Sequence, residues 1–579
     1  MNVNFVVVAK NAGAAEHLER RVLAAVDYLV EIYGPANDHV ERRGNAWLYN
    51  ADRTGGTWRV PTWFENAGVR YGVTQPPVPT DQTVTLDSYA SVVHHKVWRE
   101  GDLRELLMNH SGYAVDGTGR VRVWTDFVGM ARCYSVESED WIAFGNHIGS
   151  LAFFRDSLLQ LHRESLELFA NFGWFMDDLS PFQGITRVGR ATIIDVDESG
   201  HPSRHCYEPL TDLVGTRGVR ADFRPVVESS RTAAANLDLL SMRTPTVYLS
   251  GGRDSRMSAS LWLSGGGNAN VVTLGNLPGE VEIAEKLIRI FRSLPGMDQQ
   301  EVSHRIAVNK PAELTMTLGQ RLRVAHAMWD GDAAPTNIRR NVVPPSSTIA
   351  LSIGGSNGEV ARSFLYAAKE LEAVEYGDQE PLRRLLNSYT PRHVTPEAGK
   401  TVNAFLERQQ QALFVPGVSG LVGMDVFYFT QKLRRWSNQQ ILSTSALLLG
   451  SHAFVRSSYD LTAEERVSGA APVRVTRMAI PEWTAPPYHK ATAQEAQVVT
   501  RNGLRIWLTD REEFQEYMQN PTVWAEYLST RSMKRYLDLV HTGEATRAHE
   551  SWFQRAVWLD SLETHRQRLN ARLAGVGIR

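Results

Sequence analysis

One short stretch of the sequence, from Thr246 to Ser260, has residue types that are suited to holding phosphate. A run of β-forming residues ends there in Ser-Gly-Gly, and a helix-compatible segment follows. A strand that enters a glycine turn and then a helix presents unpaired backbone N–H groups at the positive end of the helix dipole. Glycines leave room for a phosphate because they have no Cβ. The residues predicted to cradle phosphate are Leu249, Ser250, Gly251, Gly252, Asp254 and Ser255.

Asp254 is an acidic residue in a loop that is otherwise suited to anions. A carboxylate repels phosphate, but Mg²⁺ prefers one or two carboxylates together with phosphate oxygens and would bind both groups. The loop is not of the Walker type, since no Gly-Lys-Ser or Gly-Lys-Thr follows the glycines. A serine-capped turn without a ligand is the alternative interpretation, and the complete run of residues favours the phosphate site.

The run Ser-Gly-Gly-Arg-Asp-Ser resembles the pyrophosphate loop of the ATP pyrophosphatases, enzymes that split ATP between its α- and β-phosphates. Two later stretches, VVTLGNLPGEVEIAEKLIRIF and LSIGGSNGEVAR, are similar to the second strand and to the second nucleotide and metal loop of the asparagine synthetase family. That family includes β-lactam synthetases and lasso-peptide cyclases. The resemblance implies further ATP contacts at Thr273, Gly354 and Gly355.

The first half of the chain is similar to the glutaminase domain of the same family, in GRVRVWTDFVGMARCYSVESEDWIAFGN and PFQGITRVGRATIIDVD. The nucleophile of that family is a cysteine that follows the initiator methionine. Position 2 of this chain is Asn2, and an amide cannot attack glutamine as a thiolate does. Cys133 and Cys206 lie far along the chain. We therefore expect a domain that keeps the glutaminase fold and has lost the reaction.

The second loop departs from the family pattern at the position where the family binds a metal through an aspartate, because Gly358 stands there. Either Glu359 holds Mg²⁺ together with Asp254, or one metal is held differently. The alternative for Glu359 is a helix N-terminal carboxylate that the dipole favours. Arg256, just past the first loop, is assigned to the nucleotide site as a bidentate clamp, with a surface helix residue as the alternative.

The resemblance also implies a lysine that stabilises charge while an amine attacks, on a loop toward the C-terminus. Lys490, in IPEWTAPPYHK, is the candidate. A general base is needed when the amine arrives protonated. Tyr366 is a candidate base, because it follows Glu359 at a spacing that would place both on one helix face, and an aromatic residue of the core is the alternative. The residues that the sequence leaves open for these two roles are His489, Lys432, Tyr428 and Glu482.

The resemblance implies an ATP-dependent ligase that adenylates a carboxylate, releases pyrophosphate and transfers the acyl group to an amine or to ammonia. The expected cofactors are ATP and Mg²⁺, and the expected partners are a small-molecule or peptide carboxylate and an amine. An intramolecular cyclase that makes a lactam or a lasso-peptide ring is one alternative. A non-catalytic scaffold that binds nucleotide is another.

The elements that must position these residues divide the sequence into two predicted domains. Residues 1–225 read as β-rich, with strand-like runs such as NFVVVA and WIAFGN and helices at HLERRVLAAVDYLVEIY and DSLLQLHRESLELFANFGWF. The resemblance to the glutaminase domain implies an N-terminal-nucleophile (Ntn) hydrolase type of β-sandwich with flanking helices. Residues 226–579 are expected to form an α/β domain with a parallel sheet and a helix-rich C-terminus, because strand-like and helical patterns alternate. The last amphipathic stretch, 530–573, predicts a solvated pair of helices.

Composition excludes several other classes of protein. Lys and Arg number 62 against 64 Asp and Glu, so the formal charge of −2 favours neither a nucleic-acid groove nor an acidic tail. No apolar run approaches the roughly 20 residues of a membrane helix. Two cysteines are too few for a disulfide framework, and the N-terminus lacks the pattern of a signal peptide, so a cytoplasmic location is expected. The sequence is compatible with a homodimer.

Overall fold

The computed structural model describes most of the chain, in eleven segments. The described residues are 2–53, 56–107, 110–214, 220–308, 314–342, 351–367, 371, 379–413, 420–436, 444–490 and 505–579. Within them the fold is mixed α/β, with two large antiparallel sheets, one parallel sheet and a helix-rich C-terminal part.

The strands are short, and nineteen are found in the described residues. In chain order they are β1 (Val3–Ala9), β2 (Asn37–Arg43), β3 (Ala46–Asp52), β4 (Trp63–Asn66), β5 (Val69–Val73), β6 (Val78–Pro79), β7 (Leu106–Leu107), β8 (Ser111–Val115), β9 (Val121–Thr125), β10 (Tyr134–Glu137), β11 (Trp141–Gly145), β12 (Ile185–Arg187), β13 (Thr192–Val196), β14 (Pro202–Cys206), β15 (Thr246–Tyr248), β16 (Ala269–Leu274), β17 (Val302–Ala307), β18 (Ser352–Ile353) and β19 (Ser445–Ala446).

Helices cover the sheets and dominate the last third of the described chain. The α-helices are α1 (Ala12–Tyr33), α2 (Tyr89–His94), α3 (Ile148–Leu151), α4 (Arg163–Phe172), α5 (Leu210–Val214), α6 (Arg224–Leu240), α7 (Arg253–Ser264), α8 (Pro278–Arg292), α9 (Leu318–Trp329), α10 (Glu380–Ser388), α11 (Pro396–Ala412), α12 (Gly420–Phe427), α13 (Arg434–Trp436), α14 (His452–Tyr459), α15 (Ala463–Ser468), α16 (Ala470–Ala479), α17 (Ile506–Thr509), α18 (Arg511–Gln519), α19 (Trp524–Tyr527), α20 (Thr530–His541) and α21 (Arg547–Gly575).

Shorter helical turns complete the described secondary structure. The π-helical turns are His95–Glu100 and Tyr428–Leu433, and the 3₁₀ turns are Ala152–Phe154, Met297–Gln299, Pro335–Arg339, Gly358–Ala361, Leu448–Gly450 and Pro481–Thr484. No described helix is long and apolar enough to cross a membrane.

The two antiparallel sheets face each other through a shared apolar core. Their strand orders are β12-β10-β11-β1-β3-β2 and β14-β13-β9-β8-β5-β4. Alternate residues of a strand point to opposite faces of a sheet. Val6 and Val8 of β1 therefore pack between the sheets, with Val121 and Val123 of β9. Phe5 and Val7 pack instead on the outer side, in the hydrophobic cluster that contains the residues of α1.

The parallel sheet has the strand order β17-β16-β15-β18-β19, and every neighbouring pair is parallel. From β15 the chain proceeds outward on one side to β16 and β17, and then returns to the other side at β18. Ligands of open parallel sheets bind outside the carboxyl ends of the strands where this order reverses. In this sheet the reversal lies between β15 and β18.

Two local expectations were wrong. The helix predicted over 156–175 begins only at Arg163, where the His162 side chain accepts the backbone N–H of Ser165 at 3.2 Å and caps the helix. Residues 362–367 are not helical, so Glu359 and Tyr366 share no helix face.

The C-terminal helix pair exists, but it is not solvated as expected. The long helix α21 buries a row of apolar side chains in the same cluster as α1 and the outer face of β1. Trp558 and Leu562 are fully buried in this row. The amphipathic pattern predicted the helix correctly. Because the helix also carries many charged residues, the sequence did not indicate how much of the helix packs against the N-terminal half.

Candidate functional site

The first loop lies at the predicted junction of a strand and a helix. Strand β15 ends at Tyr248, and α7 begins at Arg253 with Gly252 as its N-cap residue. Buried Leu249 continues the sheet, since its backbone N–H donates to the carbonyl of Val272 at 3.0 Å. No side chain caps α7. The backbone N–H groups of its first turn are therefore without a side-chain partner, as the phosphate site requires.

The two serines of the loop contact each other. Their hydroxyl oxygens, Ser250 Oγ and Ser255 Oγ, lie 2.9 Å apart. Ser250 Oγ also accepts the backbone N–H of Gly252 at 3.1 Å, and Ser255 Oγ accepts that of Ser250 at 3.1 Å. The hydroxyls thus hold the turn in shape, and a hydroxyl in this position can still accept or donate a bond to a ligand.

The two glycines of the loop serve different purposes. A Cβ on Gly251 would lie 2.7 Å from His489 Cβ, so this glycine makes room for the segment 480–490 rather than for a ligand. The backbone N–H of His489 donates to the Gly251 carbonyl at 2.9 Å. A Cβ on Gly252 would meet only Ser250 Oγ, at 3.1 Å. Gly252 is therefore the position where the backbone stays open.

The second loop packs directly against the first. It follows β18, the strand next to β15, and a Cβ on Gly355 would lie 2.5 Å from the backbone nitrogen of Ser255. A Cβ on Gly358 would lie 2.5 Å from the carboxyl carbon of Asp254. No aspartate fits at position 358 in this arrangement, which gives a physical reason for the glycine where the family has an acid. Gly354 and Gly355 thus lie at the reversal point, and their contact with ATP stays a prediction.

Asp254 is a buried carboxylate with one oxygen unused. Its Oδ2 forms an ion pair with the Arg362 guanidinium at 2.5 Å. Its Oδ1 is buried and has no hydrogen-bond partner among the described residues. Burial raises the pKa of Asp254 to about 6, Arg362 opposes that rise, and Glu359 adds to it. An unsatisfied buried oxygen is costly, and it indicates a site for a cation or a donor.

The residues present fit a single Mg²⁺ ion. Asp254 Oδ1 is free, and the half-buried Glu359 is close enough to raise the pKa of Asp254. In the part of the chain that the structure describes, no three His, Cys, Asp or Glu residues form a metal-binding group. Two carboxylates with the remaining positions left to phosphate and water suit Mg²⁺. Arg362, which the sequence analysis did not assign, already neutralises the other oxygen of Asp254.

Lys432 and Tyr428, which the sequence left as alternatives, lie beside the same carboxylates. The ammonium of Lys432 lies 5.2 Å from the ring centre of Trp174 and 4.8 Å from that of Phe364. Burial lowers the pKa of Lys432, and Glu359 opposes this shift. The Tyr428 ring packs on Phe364 with centroids 4.5 Å apart. Burial raises the pKa of Tyr428, with Glu359 and Asp254 adding to the rise.

Lys490 is exposed, next to the first loop. Arg256 anchors this segment: it is fully buried, and its Nη atoms donate to the carbonyls of Pro486 and Pro487, each at 2.7 Å. Its guanidinium also lies 4.2 Å from the ring centre of Tyr488. Arg256 is therefore not the surface residue that was considered. The clamp role also lacks support, because both Nη atoms are engaged by backbone carbonyls.

Two other predicted residues lie in the interior. Tyr366 is buried, and its hydroxyl donates to Asp425 Oδ2 at 3.0 Å, which in turn lies 3.4 Å from Arg466. A hydroxyl engaged in this way is poorly placed to take a proton from an amine. Thr273 is fully buried on β16, and its hydroxyl lies 2.9 Å from His304 Nε2. Its side chain supports the sheet, and only its backbone lies near the strand ends.

The N-terminal half contains no activated thiol among its described residues. Asn2 is buried at the start of β1, and its side-chain oxygen accepts the backbone N–H of Arg53 at 2.7 Å. Cys133 lies in the core between the sheets, where burial raises its pKa to about 12. Cys206 is exposed on β14. A protonated, buried thiol is not a nucleophile.

Comparison with known proteins gives little similarity. No family model and no curated protein matches the chain. Among solved structures, the chain is similar to the glutamine phosphoribosylpyrophosphate (PRPP) amidotransferase from B. subtilis, complexed with ADP and GMP, at 9% identity and a TM-score of 0.24. The match covers 64% of this chain and 83% of the other. We base no conclusion on a similarity of this size.

Proposed function

We propose that this protein is an ATP-dependent ligase that adenylates a substrate carboxylate and then passes the acyl group to an amine or to ammonia. The observation that carries the proposal is the meeting of two glycine loops at the reversal point of the parallel sheet, around a buried carboxylate with a free oxygen. This is where open parallel sheets bind ligands, and the loop sequence resembles that of a pyrophosphate site.

In the first step a carboxylate oxygen of the substrate attacks the α-phosphorus of ATP. A new P–O bond forms, the bond between the α-phosphorus and the bridging oxygen breaks, and pyrophosphate carries away the electron pair. The backbone N–H groups at the start of α7 and the hydroxyls of Ser250 and Ser255 would hold the leaving pyrophosphate. Such preorganised donors stabilise charge as it develops on the leaving group.

Asp254 and Glu359 would hold Mg²⁺, which neutralises phosphate charge when bound. Arg362 would add a fixed positive charge on the same side, because its guanidinium already lies on Asp254. An anion that arrives at the loop competes with Asp254 for this guanidinium. Arg362 is thus proposed as a phosphate contact that the family resemblance did not predict.

In the second step the amine attacks the acyl carbon, and AMP leaves with the electron pair of the broken C–O bond. Lys432 is the better placed of the two candidate lysines, because it is half-buried beside Glu359 and between two aromatic rings. Lys490 is exposed. A cation in a desolvated site stabilises a developing oxyanion more strongly than one in water. The amine would come from solution or from a substrate, because Asn2 stands where the resembled family has its nucleophilic cysteine.

The proposal is tested by ATP–pyrophosphate exchange with a panel of carboxylic acids, followed by mass spectrometry for AMP in the presence of amines. Exchange that depends on one acid, and AMP release that depends on an amine, are the expected results. Tight ATP binding without exchange for any acid would support the non-catalytic scaffold instead. The non-catalytic scaffold function is favoured by the Arg362–Asp254 ion pair and by the glycine at position 358.

Substitution of the two lysines separates the two steps. We expect Lys432→Met to lower amide formation by about 100-fold while exchange is nearly unchanged, since the lysine acts on the oxyanion of the second step. Lys490→Met should have a smaller effect. Single-turnover formation of adenylate and of amide measures both. If Lys490→Met alone stops amide formation, the C-terminal loop provides the catalytic cation and the assignment of Lys432 is wrong.

The ion pair of Arg362 predicts a pH dependence of magnesium-nucleotide binding. Protonated Asp254 cannot hold Mg²⁺, so binding should weaken as the pH falls through about 6. Arg362 lowers the pKa of Asp254, so Arg362→Gln should raise that midpoint and weaken binding by roughly tenfold. Calorimetric titration between pH 5 and pH 8 measures both quantities. Arg362→Lys keeps the charge and is the matched control, with a midpoint close to that of the wild type.

A further inference from the structure

One cavity on the surface is lined by arginines and lies outside the loops of the proposed nucleotide site. Its volume is about 630 Å³. It lies between the segment that leads into α6 and the last turns of α16. The arginines that line it are Arg220, Arg224, Arg474 and Arg477. Pockets of this size accommodate small organic molecules.

The positive charge of the cavity is only partly balanced. Arg224 pairs with Asp222, which also lines the cavity, at 2.7 Å. Arg474 pairs with Glu465. Within the described residues, Arg220 and Arg477 make no ion pair. Four guanidinium groups against two carboxylates leave a surplus of two positive charges in a concave surface, which focuses the field on an incoming anion.

The lining of the cavity also includes apolar side chains. Phe223 is buried, and Met478 is 38% exposed. Guanidinium groups bind phosphate and carboxylate through paired N–H donors, and the exposed thioether packs against apolar groups. The lining therefore suits a molecule that has both anionic groups and an apolar portion.

We propose that this cavity binds a small organic anion that carries at least two phosphate or carboxylate groups. The inference is independent of the proposed nucleotide site, since the two sites share no residue. They are nevertheless joined along the chain. Arg477 and Met478 lie in the last turn of α16, and the segment that follows supplies the carbonyls bound by Arg256 and the N–H bound by Gly251. An occupant would thus lie at one end of a segment whose other end contacts the first loop.

The test is calorimetric titration of the full chain with pyrophosphate and, separately, with citrate, at about 0.15 M salt, where non-specific surface attraction is screened. The double variant Arg220→Gln, Arg477→Gln removes the two unpaired cations. We expect it to lose roughly 100-fold in affinity for the anion that binds, which is about tenfold for each charged contact. Arg231→Gln, an exposed arginine elsewhere on α6, is the matched control and should bind as the wild type does.

In buffer that contains Mg²⁺, Asp254→Asn separates this cavity from the nucleotide site, because magnesium pyrophosphate at the first loop should bind more weakly in that variant and an anion held by the arginines should not. Binding that is lost in Asp254→Asn and kept in the double arginine variant overturns the proposal. It is also overturned if neither small anion binds the wild type while a poly-glutamate peptide does, since the surface would then recognise an acidic chain. Binding of citrate but not of pyrophosphate would identify carboxylate as the preferred group, and binding of pyrophosphate but not of citrate would identify phosphate.

Discussion

Replacing Asp254 with asparagine is expected to lower the rate of ATP–pyrophosphate exchange by about 1,000-fold while the protein stays folded. The amide removes the negative charge that would hold Mg²⁺ against the phosphates, and losses of this order follow from removing one group that stabilises transition-state charge. The measurement is isotope exchange with the acid found to be active. Undiminished exchange in this variant would remove the proposed role of the carboxylate.

The stability of the same variant distinguishes a functional group from a structural one. The pKa of Asp254 is about 6 in the folded protein, above its ordinary value near 4, so the ionised form is disfavoured by folding. The contribution of Asp254 to the free energy of unfolding therefore increases as the pH falls from 6 toward 4. At pH 7 its buried negative charge destabilises the folded protein. Asp254→Asn should thus be as stable as the wild type, or more stable, in urea unfolding at pH 7.

Asp238→Asn is the matched control for both measurements. Burial also raises the pKa of Asp238, and its carboxylate accepts a hydrogen bond from Asn268 at 3.2 Å. It lies on α6, away from the two glycine loops. We expect the control to exchange pyrophosphate at the rate of the wild type. Equal losses in the two variants would indicate a general effect on folding rather than the loss of a metal ligand.

Replacing Asp332 with asparagine is expected to reduce the free energy of unfolding by about 3–5 kcal/mol. Asp332 is buried and accepts two hydrogen bonds from Arg435, at 2.7 and 2.8 Å, and lies 3.4 Å from Arg187. Removing one partner of a buried ion pair leaves the remaining charges uncompensated, and that loss is of this size. Urea unfolding at pH 7 measures it. Glu380→Gln, which breaks the surface ion pairs with Arg383 and Arg384, should change stability far less.

The contribution of Asp332 to stability depends on pH with the opposite sign to that of Asp254. Burial alone would raise the pKa of Asp332, but Arg435 and Arg187 outweigh it and lower the pKa. A depressed folded-state pKa contributes stability that is present above about pH 4 and is lost below it. The difference between wild type and Asp332→Asn should therefore persist at neutral pH and shrink in acid. A difference that grows as the pH falls below 4 would contradict the ion pair.

The ion pairs around Asp332 and Arg435 also position the proposed site. Arg434 and Arg435 follow directly on the π-helical turn Tyr428–Leu433, which carries Lys432. Arg434 binds Asp178 at 2.6 Å, and Arg435 donates to the carbonyls of Asp177 and Leu179, so that turn is fixed against the N-terminal half. Asp332, from the second half of the chain, holds the same guanidinium of Arg435. We expect Asp332→Asn to impair amide formation more than exchange, because the first loop does not depend on this contact.

The sequence by itself determined the first loop and the backbone around it. A β-forming run, two glycines and a helix-compatible segment depend on the conformational preferences of neighbouring residues, and these can be read along the chain. The alternation of strand-like and helical patterns, which predicted the parallel sheet, can likewise be read along the chain. The absence of a cysteine at position 2 is likewise a matter of residue type alone.

Only the tertiary structure decided which distant residues meet at that loop. Arg362 lies on Asp254 from 108 positions away, and Trp174 of the N-terminal half lies against Lys432. Tyr366 was favoured as a base by its spacing, yet a buried carboxylate at Asp425 engages its hydroxyl. Such contacts follow from how helices and sheets pack, which depends on side-chain volume and burial over the whole core. No pattern of neighbouring residues contains that information.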